Sequence, residues 1–135
     1  IIEAGEQQKN SVLLEKTNSN EPSERYWAVT WLGVNKVQSA RDKVEALTLD
    51  KEPSVRIAAN LALYKIEPSY NPIPSLSKEV SHKNLIVGMY AMNAIEQSGI
   101  RNEEVRAIAE TASKSKYEFT KRFGKYLVTV NSENY

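Results

Sequence analysis

The sequence predicts an all-α protein, a right-handed α-α superhelix built from about four stacked helix pairs. Three observations carry that expectation. First, a phrase made of a turn, a proline and an amphipathic start recurs along the chain. Glu52-Pro53-Ser54-Val55-Arg56-Ile57-Ala58-Ala59 is preceded, 31 residues earlier, by Glu21-Pro22-Ser23-Glu24-Arg25-Tyr26-Trp27-Ala28. It is followed, 32 residues later, by Asn84-Leu85-Ile86-Val87-Gly88-Met89-Tyr90-Ala91, and a worn copy, Lys116 to Phe123, comes after another 32. Second, the apolar residues within a copy share one helical face: Val55, Ala59, Ala62, Leu63 and Ile66 fall at i, i+4, i+7, i+8 and i+11. Third, no stretch alternates apolar and polar residues as a strand does.

The elements follow in order. Ile1 to Gln8 reads as the last turns of a helix, and Ser11 to Lys16 as a second, short helix. Thr17-Asn18-Ser19-Asn20 is turn chemistry, because these side chains bond nearby backbone groups. Glu21 to Val34 is the first clear repeat helix, started by Pro22 and ended at Gly33. Ala40 to Leu49 is a shorter helix with Ala40, Val44 and Leu47 inward. The second strong helix runs from Pro53, which suits a first helical position, to about Glu67-Pro68. Residues 67–74 then hold three of the five prolines and predict a rigid loop into a short helix near Ser75 to Val80. Leu85 to Ser98 is closed by Gly99. Asn102 to Ala112 presents Val105, Ile108, Ala109 and Ala112 on one face. Tyr117 to Val130 is the last helix, and Asn131 to Tyr135 reads as a frayed tail.

Composition narrows the functional classes. The 135 residues suffice for a single repeat domain spanning 1–135 with a continuous core. Eighteen Lys and Arg against 17 Asp and Glu leave a net charge of +1, so neither nucleic acid nor an anionic membrane is expected as a partner. No run is apolar for long enough to span a membrane. The absence of cysteine excludes disulfides, zinc-thiolate sites and a thiol nucleophile. The chain opens on Ile1 rather than Met, as expected for a piece of a longer protein. Ile1-Ile2 offers no polar cap, so the first unit is expected to rest on something upstream.

The motif Pro-x-Val-Arg-x-x-Ala at Pro53 to Ala59, echoed by Pro22, Arg25 and Ala28, resembles a HEAT repeat, an armadillo-like helical solenoid, in the short form seen in phycobilin-lyase-like repeats. The resemblance covers about Ser11 to Val130. Departures are visible: Glu24 stands where Val55, Val87 and Phe119 stand, and Gly88 and Thr120 replace the arginine. The succession Arg25-Tyr26-Trp27-Ala28, Val55 to Ala59, and His82-Lys83-Asn84-Leu85 to Met89-Tyr90-Ala91 is similar to the helical-repeat segment that follows the catalytic domain in some bacterial sulfatase-like hydrolases. That resemblance implies a periplasmic or cell-surface parent protein. It implies no catalysis by this chain, which lacks both the x-Pro-x-Arg nucleophile motif and the Asp/Asn/His metal cluster of that family.

Residues that could carry chemistry are few, and no cofactor is expected. His82 is the sole histidine, beside Lys83 in a turn, and reads as a solvated turn residue, since a metal site needs more ligands. Asp50/Glu52 and Glu103/Glu104 sit near helix starts, where negative charge complements the dipole. The serines have no His–Asp arrangement to activate them. Arg25 and Arg56 occupy equivalent first-turn positions. They form either a structural ladder to Asp50 and Glu52 or an anion site. Trp27, Ala58, Tyr90 and Arg122 are also equivalent and lie off the Val/Ala/Leu face. They either pack between units or form an aromatic and Arg stripe on a concave surface. Three functions remain open: a non-catalytic interaction or scaffold module docking an upstream catalytic domain or another protein, a carbohydrate- or anion-binding module, and a lyase. A helical array alone says nothing of lyase chemistry.

Overall fold

The computed structural model describes residues 4–133. Among them are eight α-helices, one 3-10 turn at Gln38–Ala40 and no strand. The helices are α1 (Ala4–Lys16), α2 (Pro22–Val34), α3 (Arg41–Leu47), α4 (Pro53–Ile66), α5 (Ile73–Val80), α6 (Leu85–Ser98), α7 (Glu103–Ser113) and α8 (Glu118–Glu133). The expected all-α class is met. Ile1-Ile2, expected to form a docking end, lies outside the described residues. The chain groups into two compact units, Ile1–Pro72 and Ile73–Tyr135, divided in sequence between Pro72 and Ile73.

In the first unit α2 packs on α1 and α4, and α3 on α4. Its core gathers Leu13 of α1, Val29 and Leu32 of α2, Val44 of α3, and Val55, Ala59 and Leu63 of α4. The face read from the sequence for α4 is the buried one: Val55, Ala59, Ala62, Leu63 and Ile66 are all buried. In the second unit α5 packs on α6 and α7 on α8, with α5 also touching α7 and α6 touching α8. Met92, Ala109, Ala112 and Leu127 form a core there, with Phe123 against it.

The repeat is visible in burial. Leu32, Leu63, Ile95 and Leu127 are equivalent positions, and each is fully buried. Burying such a side chain stabilises by about 1.5–3 kcal/mol. Ala28, Ala59 and Ala91, another equivalent set, are also fully buried.

Several boundaries differ from expectation for identifiable reasons. Residues 4–16 form one helix rather than two pieces. Helix α5 starts at Ile73 because Pro74 is tolerated in a first turn, where its missing N–H has no intrahelical partner in any case. Gly33 does not end α2. It lies inside the helix, where a Cβ would fall 2.6 Å from both the Cα and the Cβ of Ala62 in α4. The turn after α2 is made by Asn35 and Lys36, which takes the positive φ of 50°. Gly88, at the arginine position of the third copy, is held small in the same way: a Cβ would lie 2.8 Å from the Val80 carbonyl oxygen. Gly99 does close α6, with a left-handed φ of 75°. The expected frayed tail begins too early, since Asn131 is helical and buried and its amide donates to the Asn102 carbonyl at 3.3 Å.

The loop after α4 is anchored by side chains. Tyr70 Oη donates to Asn60 Oδ1 at 2.5 Å, and the Asn60 amide donates to the Arg56 carbonyl at 2.9 Å. Gln38 Nε2 donates to the Ile66 carbonyl at 2.9 Å, satisfying one of the carbonyls left over at the end of α4.

Replacing Ala59 with Leu puts three more carbons where no space remains. The Ala59→Leu variant is expected to lose about 1–3 kcal/mol, seen as a lower midpoint in thermal melting. An unchanged melt would show that this face is not packed as described.

Candidate functional site

The two arginines are held close to Asp50, the residue two before α4's N-cap. Arg25 projects from the first turn of α2, and its fork closes on the Asp50 carboxylate: Nε to Oδ2 at 2.9 Å and Nη2 to Oδ1 at 3.0 Å. Its remaining nitrogen, Nη1, donates to the Ser19 carbonyl at 2.9 Å. Both charged side chains are buried. Asp50 Oδ1 also accepts the Glu52 N–H at 2.9 Å, so the carboxylate braces the turn into α4. Burial pushes the Asp50 carboxyl up. The hydrogen bonds from Arg25 and the Glu52 N–H, with the charges of Arg25 and Lys51, outweigh burial and hold it below its ordinary 3.8. Arg56 approaches the same turn through carbonyls, Nη1 donating to Asp50 at 3.0 Å and to Lys51 at 3.2 Å. Arg25 is therefore committed to the fold, with none of its fork turned to solvent.

The other sequence-predicted positions lie at the surface. In the first unit Trp27 is 58% exposed, while Ala58 is half-buried against the core. In the second unit Tyr90 is 56% exposed, and Arg122 is exposed and bonds Glu118 of its own helix at 3.3 Å. Such a pair one turn apart contributes only about 0.3–0.5 kcal/mol. Neither aromatic ring is packed away.

The structure adds residues that the equivalent-position argument passed over. Trp31 lies one turn after Trp27, 41% exposed, their rings 6.0 Å apart and tilted by 60°. Tyr26 and Val34 extend the same exposed surface of α2. The signal was present: Trp27 and Trp31 are the chain's two tryptophans, spaced i, i+4. The charged side chains of α2 are Glu24 and Arg25. Glu24 is taken up by Lys16 at 2.9 Å and Ser19 at 2.7 Å. In the second unit α8 carries Phe119, Phe123 and Tyr126 with centroids 6.3 and 6.0 Å apart, but Glu118, Lys121, Arg122 and Lys125 interleave with them.

A polar cleft of about 790 Å³ opens between α1 and the turn after α2. Glu6, Lys9, Asn10 and Ser11 line one side, Asn35, Lys36 and Ser39 the other, with Leu14 and Val37 as an apolar patch. His82 Nδ1 accepts the Asn84 N–H at 3.0 Å, bracing its own turn. Among the described residues no group of three or more His, Asp or Glu is placed to hold a metal ion. Nor is any helix there long and apolar enough to cross a membrane. No family model, curated protein or solved structure matches the chain.

The buried pair gives a pH-dependent expectation. Asp50→Asn leaves the Arg25 charge buried and unpaired, and is expected to cost about 3–5 kcal/mol near neutral pH. Because the folded carboxyl sits below 3.8, its stabilisation is present above that pH and lost as the pH falls through the folded value. The gap between parent and Asp50→Asn in urea unfolding should therefore hold from pH 7 down towards 3.8 and narrow only as the pH falls further, through the folded carboxyl's lower value.

Proposed function

We propose that this chain is a non-catalytic helical-repeat module that acts by docking a protein through the aromatic face of α2. The observation that carries this reading is the surface made by Tyr26, Trp27, Trp31 and Val34. Exposed aromatics without charge are the composition of an interface centre rather than of a solvated face. Equivalent buried positions at spacings of 31 and 32 residues support HEAT-like stacking of helix pairs into a right-handed superhelix. The resemblance to the segment that follows the catalytic domain in sulfatase-like hydrolases makes such a domain the first partner to try. In that role the module contributes surface and rigidity, and the hydrolysis belongs to the partner.

A second reading, an anion- or glycan-binding module, is favoured by the polar cleft rather than by the arginines. Arg25 is occupied by Asp50, whereas Lys9 and Lys36 flank a space lined with amides and hydroxyls and with the carboxylate of Glu6, a lining that suits a glycan's hydroxyls as well as its anionic groups. Calorimetric titration with a sulfated disaccharide separates this reading from the first, with Lys9→Glu and Lys36→Glu as variants.

The docking reading is tested by mixing the chain with a separately expressed sulfatase-like domain and measuring association calorimetrically. Trp27→Ala with Trp31→Ala should weaken binding at least about tenfold, as for interface anchors. Tyr90→Ala, in the other unit, should change it little. If no association occurs, or if the tryptophan variant binds as tightly as the parent, the proposal fails.

A further inference from the structure

Helix α4 carries the counterpart of the α2 face in a covered state. Under the 31-residue repeat, Ala58 and Ala62 of α4 correspond to Trp27 and Trp31 of α2. In α4 these positions are covered: Ala62 is buried directly beneath Gly33 of α2, and Ala58 packs against the same core. In α2 the same positions are bare. One helix of the unit thus displays the face when occupied and another displays it when open.

Resting on the interaction-module reading, we infer that the Trp27/Trp31 face of α2 receives one further amphipathic helix, laid along α2 as α2 lies along α4 and presenting small, uncharged residues to the indoles. The chemistry of the occupant follows from the covered example. Where α4 has Ala62, α2 answers with a glycine, because the distance between packed helix axes, about 8–10 Å, depends on the contact side chains and is shortest when they are small. With tryptophan in place of alanine, the incoming helix needs Gly or Ala opposite even more, since the indoles already fill the space. It must also be uncharged along that stripe, because Ser23, Tyr26, Trp27, Thr30, Trp31 and Val34 supply no charge to pair with. The exposed aromatics of α8 do not meet this description, as charged residues break their row.

The two tryptophans make the face its own reporter. The test is a hydrocarbon-stapled helical peptide of residues 22–34 carrying Trp27→Lys and Trp31→Lys. It keeps the Gly33 face and contributes no indole. Titrated into the whole chain, it should shift tryptophan emission to the blue with saturation. The same peptide with Gly33→Leu should bind at least about tenfold more weakly. In the chain, Trp31→Lys with Trp27 retained as reporter should abolish the shift while leaving the circular dichroism unchanged. No shift at millimolar peptide overturns the inference, as does equal binding of the Gly33→Leu peptide. A blue shift that grows with concentration of the chain alone overturns it in favour of a second copy. If the chain binds a sulfatase-like domain through its tryptophans but ignores the helix, only this inference falls and the docking module stands.

Discussion

The first unit depends on how closely α2 can lie against α4. That approach is set at one end by Gly33 on Ala62 and at the other by Arg25 in the fork of Asp50. The two contacts differ in kind. The glycine removes an obstacle and lets dispersion and apolar burial act over the whole length of the pair. The ion pair sets register. A buried bidentate pair contributes little net stability after desolvation, but with Asp50 also fastened to the Glu52 N–H, a slip of α2 along α4 would strand a buried charge. Stability comes mainly from Leu32, Leu63 and their neighbours, and the arginine selects which packing they adopt.

That division of labour explains why the repeat is regular in its apolar positions and irregular in its polar ones. The leucine-type position is filled and buried in all four copies. The arginine position is kept only in the first two copies; in the third, Gly88 passes so close to the Val80 carbonyl that no larger side chain fits. Where the short helix ends close beneath the long one, backbone contact replaces the ion pair as the element fixing register.

Much of the fold was legible because it rests on periodicity. The buried face of α4 and the limits of α6 follow from spacing and from Gly99. What stayed hidden depends on distant residues. A glycine near the end of an apolar run reads as a stop, and only the nearness of Ala62 shows that Gly33 is a packing contact. Residues 4–16 are rich in Gln, Glu and Lys and carry no clear stripe, so their continuity as a helix could not be read from spacing. Asn131 reads as tail because it is polar, but the carbonyl that holds it belongs to Asn102, far away in sequence. The candidate site was half legible. Trp27 emerged from equivalence with Tyr90. Trp31 did not, because its equivalents in the second and third copies, Ala62 and Ala94, are small and buried, and only the worn fourth copy has an exposed aromatic there, Tyr126.

Exposed aromatics alone would make a weak case for docking, since the largest apolar patch on an ordinary monomer reaches about 300–600 Å². Three constraints act together on α2. Its two charges point into other work, Glu24 toward Lys16 and Ser19, and Arg25 into Asp50. Its remaining outward residues are aromatic, aliphatic or hydroxylic. The homologous face one repeat later is buried beneath a helix. A solvated helix face usually carries charge, as α8 does, because charged side chains keep such a surface soluble and discourage chance association. A sequence that omits charge at every outward position of one helix, while keeping it on another in the same chain, leaves a surface whose chemistry suits a neighbour better than water.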